Sequence, residues 1–78
     1  MQFYKVENEE KIFLKNIGNH LKKTRLEKKL SQEMLANDVG IPINQIGRIE
    51  RAEISTSITT LYKIAKALDV NINKLFDF

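Results

Sequence analysis

The sequence predicts an all-α domain, a compact bundle of five helices. Three observations carry that expectation. The 78 residues include one proline and three glycines, and few stretches alternate polar with apolar as a half-buried strand does. Apolar residues recur instead at three- and four-residue spacing, which lines them along one helix face. Capping residues then divide that pattern into short pieces.

Residues 1–8 are polar and mixed, and read as an N-terminal arm from which Phe3 and Tyr4 can fold back. The domain is expected over residues 9–78. The first helix is placed at about 9–29, with Phe13, Ile17, Leu21 and Leu14 facing inward. Lys28 and Lys29 stand where cations suit a helix C-terminus. Ser31 is a good N-cap, because its hydroxyl accepts from a backbone N–H two or three residues on. A second helix follows at about 32–39, with Leu35, Ala36 and Val39 on its buried side. Gly40 stops it, since glycine takes the left-handed conformation at little cost. Pro42 suits the first position of a third helix at about 42–51, with Ile46 and Ile49 inward. Ser57 caps a fourth at about 58–68, whose stripe is Leu61, Ile64, Ala65 and Leu68. A last short helix at about 72–77 offers Leu75 and Phe76 to the core.

A chain this short buries a low fraction of its surface, so its stability is marginal. It has no cysteine, so no disulfide or thiolate metal site adds support, which fits a reducing cytosol and a cytoplasmic protein. No secretion signal or membrane span is expected. The formal charge is +3 and the pI about 9.3, a mildly basic balance that permits nucleic-acid binding. Lys15, Lys22, Lys23, Arg25, Lys28 and Lys29 form a basic stretch opposed only by Glu27, and most of these lysines read as a solvated helix face.

The stretch "SQEMLANDVGIPINQIGRIE" (residues 31–50) interrupts one apolar stripe with a glycine and a proline. Two short helices joined by about three residues must cross at a wide angle, roughly 90–120°. A small residue at Ala36, a glycine four later and a branched apolar residue six after that, Ile46, form the spacing of a helix-turn-helix.

The segments "LKKTRLEKKLSQEMLA", "VGIPINQIGRIER" and "TLYKIAKALDVNINKLF", in that order, resemble the phage repressor and Cro-like (XRE-type) helix-turn-helix family over residues 17–76. The resemblance implies a compact five-helix, lambda-repressor-like bundle that binds double-stranded DNA, usually as a homodimer. It implies that Gln32 holds a DNA phosphate and steadies a recognition-helix side chain. It places Ile43, Asn44, Gly47 and Arg48 toward the major groove, and makes Arg25 and Glu50 a partly buried ion pair. The chain departs from the family after Glu50. Ala52 stands where a glycine is common, Ser57 stands near a common proline, and Glu53 lies in a stretch that is often more basic.

The residues themselves support that placement. With Ile46 and Ile49 facing in, Asn44, Gly47, Arg48 and Arg51 lie on or near the opposite side. Arg48 can give two parallel hydrogen bonds to guanine O6 and N7, and Asn44 can pair with adenine N6 and N7, each worth roughly 1–3 kcal/mol of discrimination. Ile43 either touches a thymine methyl or covers the core edge. Gly47 costs about 1 kcal/mol in a helix interior, and a bare position there would let the helix sit deep in the groove. Gln45 is expected at the DNA backbone, as are Ser31, Arg51, Ser55, Thr56 and Ser57, through side chains or helix-start N–H groups.

An enzyme is not expected, nor any cofactor or bound metal. His20 is the sole histidine, Glu9 and Glu10 do not share a helix face, and no glycine-rich phosphate loop is present. The alternative is a protein-interaction module, or the antitoxin of a toxin–antitoxin pair, with Phe76 and Phe78 as contacts for a second copy or another protein. The expected function is a sequence-specific transcriptional regulator, a repressor that reads an inverted repeat as a dimer.

Overall fold

A computed structural model describes the backbone of residues 2–78 and the side chains of residues 8–78. The helices are α1 (Gln2–Glu27), α2 (Gln32–Val39), α3 (Ile43–Glu50) and α4 (Ile58–Ala67), closed by a 3-10 helix at Ile72–Phe76. Among the described residues there is no strand, as expected. The fifth helix needs correction: it is a 3-10 segment, not an α-helix. Lys74 N–H donates to the Asn71 carbonyl at 2.9 Å, three residues back, and the Asn71 side chain caps Asn73 N–H at 2.9 Å. The segment is short, five residues, as this tighter winding generally is.

Helix α1 begins at Gln2, where the sequence suggested an arm over residues 1–8. The expected packing of Phe3 and Tyr4 lies outside the described side chains. The 26 residues of α1 at 1.5 Å each span about 39 Å, which sets the 41 Å long axis of the molecule. No described helix is long and apolar enough to cross a membrane.

Ser31 and Ser57 cap α2 and α4 as the sequence predicted, accepting from Met34 N–H at 3.0 Å and Thr60 N–H at 3.1 Å. Gly40 ends α2 at φ 84°. Pro42 sits at the N-cap of α3, one residue outside the helix. The other three helices end a residue or two earlier than expected, at Glu27, Glu50 and Ala67, and two residues past each end stands a left-handed residue, Lys29, Ala52 or Asp69, at φ 59°. Each end closes alike. After α1, Leu30 N–H reaches the Arg25 carbonyl at 3.1 Å; after α3, Glu53 N–H reaches Arg48 at 2.8 Å; after α4, Val70 N–H reaches Ala65 at 3.0 Å. These are Schellman closures, in which a left-handed residue lets the chain satisfy the last carbonyls. Leu30 and Val70 then pack against the core.

Leu21, Leu35, Ile46, Ile64, Leu68 and Leu75 are fully buried at the centre, each stabilising the fold by roughly 1.5–3 kcal/mol relative to exposure. Phe13, expected in that core, is 46% exposed. It stacks instead on Phe76 with ring centroids 6.2 Å apart and meets Phe78 edge-on at 5.9 Å. Helix α1 crosses α3 very closely. A Cβ on Gly18 would clash with the Glu50 carbonyl oxygen and stand 2.7 Å from that of Ile49.

Two substitutions test this backbone account. Gly18→Ala must push α3 away from α1, and is expected to lower unfolding stability by roughly 1–3 kcal/mol in a denaturant titration. Ala52→Gly relieves a left-handed alanine, whose conformation costs about 1–2 kcal/mol. Part of that gain is offset by the freer unfolded chain, so the melting temperature should rise by a few degrees.

Candidate nucleic-acid interface

Helix α3 is held on its inner side by Ile46 and Ile49, 0% and 3% exposed. Its C-terminal end is held by ions. Arg25 Nε donates to Glu50 Oε2 at 2.7 Å and Nη2 donates to Oε1 at 3.1 Å. Arg25 Nη1 also donates to the Leu30 carbonyl at 2.8 Å. Both residues are buried. A planar guanidinium matches a carboxylate with two parallel bonds, which fixes orientation as well as distance. Gln32 Nε2 adds a third donor to Glu50, 3.0 Å from Oε1. Helices α1, α2 and α3 therefore meet at one carboxylate. The expected ion pair is present, and Gln32 steadies α3 through it. No buried side-chain nitrogen or oxygen among the described residues lacks a partner.

The outer face of α3 presents Ile43, 52% exposed, with Asn44 and Arg48 also exposed and Gln45 half-buried. Ile43 therefore does not cover the core edge. Gly47 departs from the expected bare groove position. It is buried, and a Cβ there would lie 2.9 Å from Arg51 Nη1 and 3.2 Å from Gln32 Oε1. The missing side chain makes room for the Gln32 amide and the Arg51 guanidinium, which lie across the helix at that point.

Glu53, which the sequence marked only as a departure, organises the two arginines. Arg51 Nε donates to Glu53 Oε2 at 2.6 Å, and Arg48 Nε lies 3.8 Å from Oε1. The hydrogen bond from Arg51 holds the Glu53 carboxyl below its ordinary range and raises the Arg51 guanidinium above its own. The left-handed turn at Ala52 brings Glu53 back beside the helix.

Of the other expected backbone contacts, Ser31 and Ser57 use their hydroxyl oxygens as caps, and the Ser57 hydroxyl donates to Thr60 Oγ1 at 2.9 Å. Thr56 lines an apolar groove of about 290 Å³ with Phe13, Ile49, Ile54, Ile58 and Phe76, apart from the polar surface around Gln32 and Arg51. Phe76 is half-buried in that groove. Phe78 is 53% exposed and rests on Phe13 and on His20, whose ring centroid is 5.2 Å away. Among the described residues no group of three or more histidine, cysteine or acidic side chains could hold a metal ion.

These features define a helix-turn-helix domain whose second helix presents a polar outer face. Residues 21–75 match the helix-turn-helix family HTH_3, and the chain belongs to that family. It is similar to the restriction-modification controller protein C.AhdI of Aeromonas hydrophila, with 36% identity and a TM-score of 0.79 over 81% of this chain and 96% of that one. It is similar also to an HTH_3 family transcriptional regulator of Vibrio cholerae, with 36% identity and a TM-score of 0.80 over 85% of this chain and 37% of that one. The control protein C.SmaI of Serratia marcescens is 44% identical over 46 residues, 59% of this chain and 55% of the relative. A transcriptional regulator encoded in an ATPase CF(0) region of Rhodospirillum rubrum is 38% identical over 61 residues, 78% of this chain and 56% of the relative. The chain thus spans a little over half the length of these two curated relatives.

One substitution tests how the site is held. Glu50→Ala leaves Arg25 buried without its partner and removes the acceptor of Gln32. It is expected to cost about 3–5 kcal/mol of unfolding free energy. Pairing it with an apolar replacement of Arg25 should recover part of that loss, because the two groups are directly coupled.

Proposed function

We propose that the protein is a sequence-specific DNA-binding transcriptional regulator that places the outer face of α3 in the major groove. The observation that carries this reading is the arrangement of α3. Its inner face and C-terminal end are fixed by packing and by the Arg25–Glu50 pair, while Ile43, Asn44 and Arg48 stay exposed together. A helix so held can bring hydrogen-bonding side chains to base edges with little loss of freedom on binding. Arg48 takes a guanine edge, Asn44 an adenine edge and Ile43 a thymine methyl. Gln32, Gln45 and Arg51 take flanking phosphates, which position the helix without reading sequence. Gly47 contributes by seating Gln32 and Arg51 rather than by meeting a base.

The protein acts as a homodimer on an inverted repeat, and as a repressor by occupying that site. The apolar groove beside Phe13, Ile54, Ile58 and Phe76 supports the dimer. Ile58 is 63% exposed, and exposed apolar surface of this kind marks contact with another protein chain. Pairing through the connector after α3 leaves both outer faces free for two half-sites. The similarity to the restriction-modification controller protein C.AhdI and to the control protein C.SmaI supports a regulator of this kind.

Selection of bound duplexes from a random pool, at moderate salt with competitor DNA, tests the reading. A two-fold symmetric motif with half-sites about one helical turn apart is expected. Folded protein that enriches nothing would overturn it. On the selected duplex, Arg48→Ala should lose roughly 1–3 kcal/mol and relax preference at one base pair of each half-site. Gln32→Ala should weaken binding to all sequences by a similar factor, as removal of a phosphate contact does.

A further inference from the structure

A polar cleft of about 420 Å³ lies between α1 and the facing ends of α2 and α3. Its walls are Lys15, Asn19 and Lys22 from α1, Gln32 from α2, and Glu50 and Arg51 from the end of α3. The three α1 residues recur at i, i+4 and i+7, so one helix face supplies them all. In the sequence these lysines read as solvated. The fold sets two of them against Gln32 and Arg51, the side chains that cover Gly47 of α3. The cleft is therefore continuous with the surface that α3 presents.

Its charge is one-sided. The wall's single carboxylate, Glu50, already faces Arg25 and accepts from Gln32. Arg51 shares its charge with Glu53 outside the cleft. Among the described residues neither Lys15 nor Lys22 forms an ion pair. Two lysines without an ion-pair partner among the described residues thus share the wall with two amide side chains and a guanidinium. That donor set suits a phosphate oxyanion, and its place beside α3 decides which one.

We infer that this cleft receives a phosphodiester of the duplex backbone flanking the groove that α3 enters. The footprint of the protein then extends beyond the helix-turn-helix onto α1. The inference rests on the DNA-binding reading, and it assigns Lys15, Asn19 and Lys22 a part in binding that the helix-turn-helix does not require. The contact carries no sequence information. It adds affinity and fixes the roll of the domain about α3.

The test compares two double variants with the same change in net charge. Lys15→Ala with Lys22→Ala empties the cleft of its lysines. Lys63→Ala with Lys66→Ala removes two lysines that border a different hollow, with Asp38 and Val39. Duplex affinity is measured from low to moderate salt for each and for the wild type. Surface substitutions of this kind seldom alter stability by more than about 0.5 kcal/mol, and melting curves confirm folding. The cleft variant is expected to bind all duplexes at least about tenfold more weakly at low salt. Its log–log salt slope should be shallower by about 1–2, with base preferences unchanged. The control pair should keep a slope close to that of the wild type. If both pairs change alike, bulk charge explains the effect and the inference is overturned. It is overturned equally if the cleft variant keeps the wild-type slope. A wild type with no duplex affinity would overturn the regulator reading itself, which is a distinguishable result. Amide shifts at Lys15, Asn19 and Lys22 under inorganic phosphate should not saturate. Saturation would mark a site for free phosphate and overturn the assignment to duplex.

Discussion

The buried pair of Arg25 and Glu50 is the interaction on which the placement of α3 depends. Both charges lose water on folding, and that cost offsets most of their attraction. The pair is better understood as setting geometry than as adding stability. Its two parallel bonds fix both the distance and the rotation of the end of α3 against α1. The Leu30 carbonyl holds the third corner of the guanidinium, and Gly18 lets the α3 carbonyls come within contact of α1. The apolar side of α3, Ile46 and Ile49, supplies the energy that keeps it there.

A line of polar contacts then runs from that buried pair to the surface. Glu50 accepts from Gln32, and Gln32 lies over Gly47 next to Arg51. Arg51 bonds Glu53, which also faces Arg48. The outer end of this chain is exposed, and exposed ion pairs contribute little to stability. Their importance is in position and charge. Glu53 stands beside two arginines at once, 2.6 Å from Arg51 Nε and 3.8 Å from Arg48 Nε. The left-handed Ala52 turn puts it there, and the hydrogen bond between Glu53 N–H and the Arg48 carbonyl holds that turn closed.

Much of this was legible in the sequence, for reasons that differ by element. Serine caps and the Gly40 turn are local chemistry, so α2 and the starts of α2 and α4 fell where expected. Helix ends were less legible because three of the four close on a non-glycine residue at positive φ, which no residue type announces. Phe13 misled because helical spacing cannot distinguish a core position from an aromatic cluster at the rim. The outward placement of Asn44 and Arg48 followed from the family resemblance and from α3 periodicity together. Gly47 did not, because its role depends on Gln32 fifteen positions earlier in the chain. Glu53 and the α1 cleft were hidden for the same reason, since their partners meet only in three dimensions.

The central claim is that the outer face of α3, held by the Arg25–Glu50 pair, is the surface that meets duplex DNA. A titration of labelled protein with a selected duplex, followed by amide and side-chain NMR shifts, measures that contact residue by residue. The account predicts the largest changes at Ile43, Asn44 and Arg48 and at the Gln32 side chain. Ile64 and Leu68 in the core should stay still. Changes confined to the apolar groove around Ile54 and Ile58, with α3 unmoved, would contradict it.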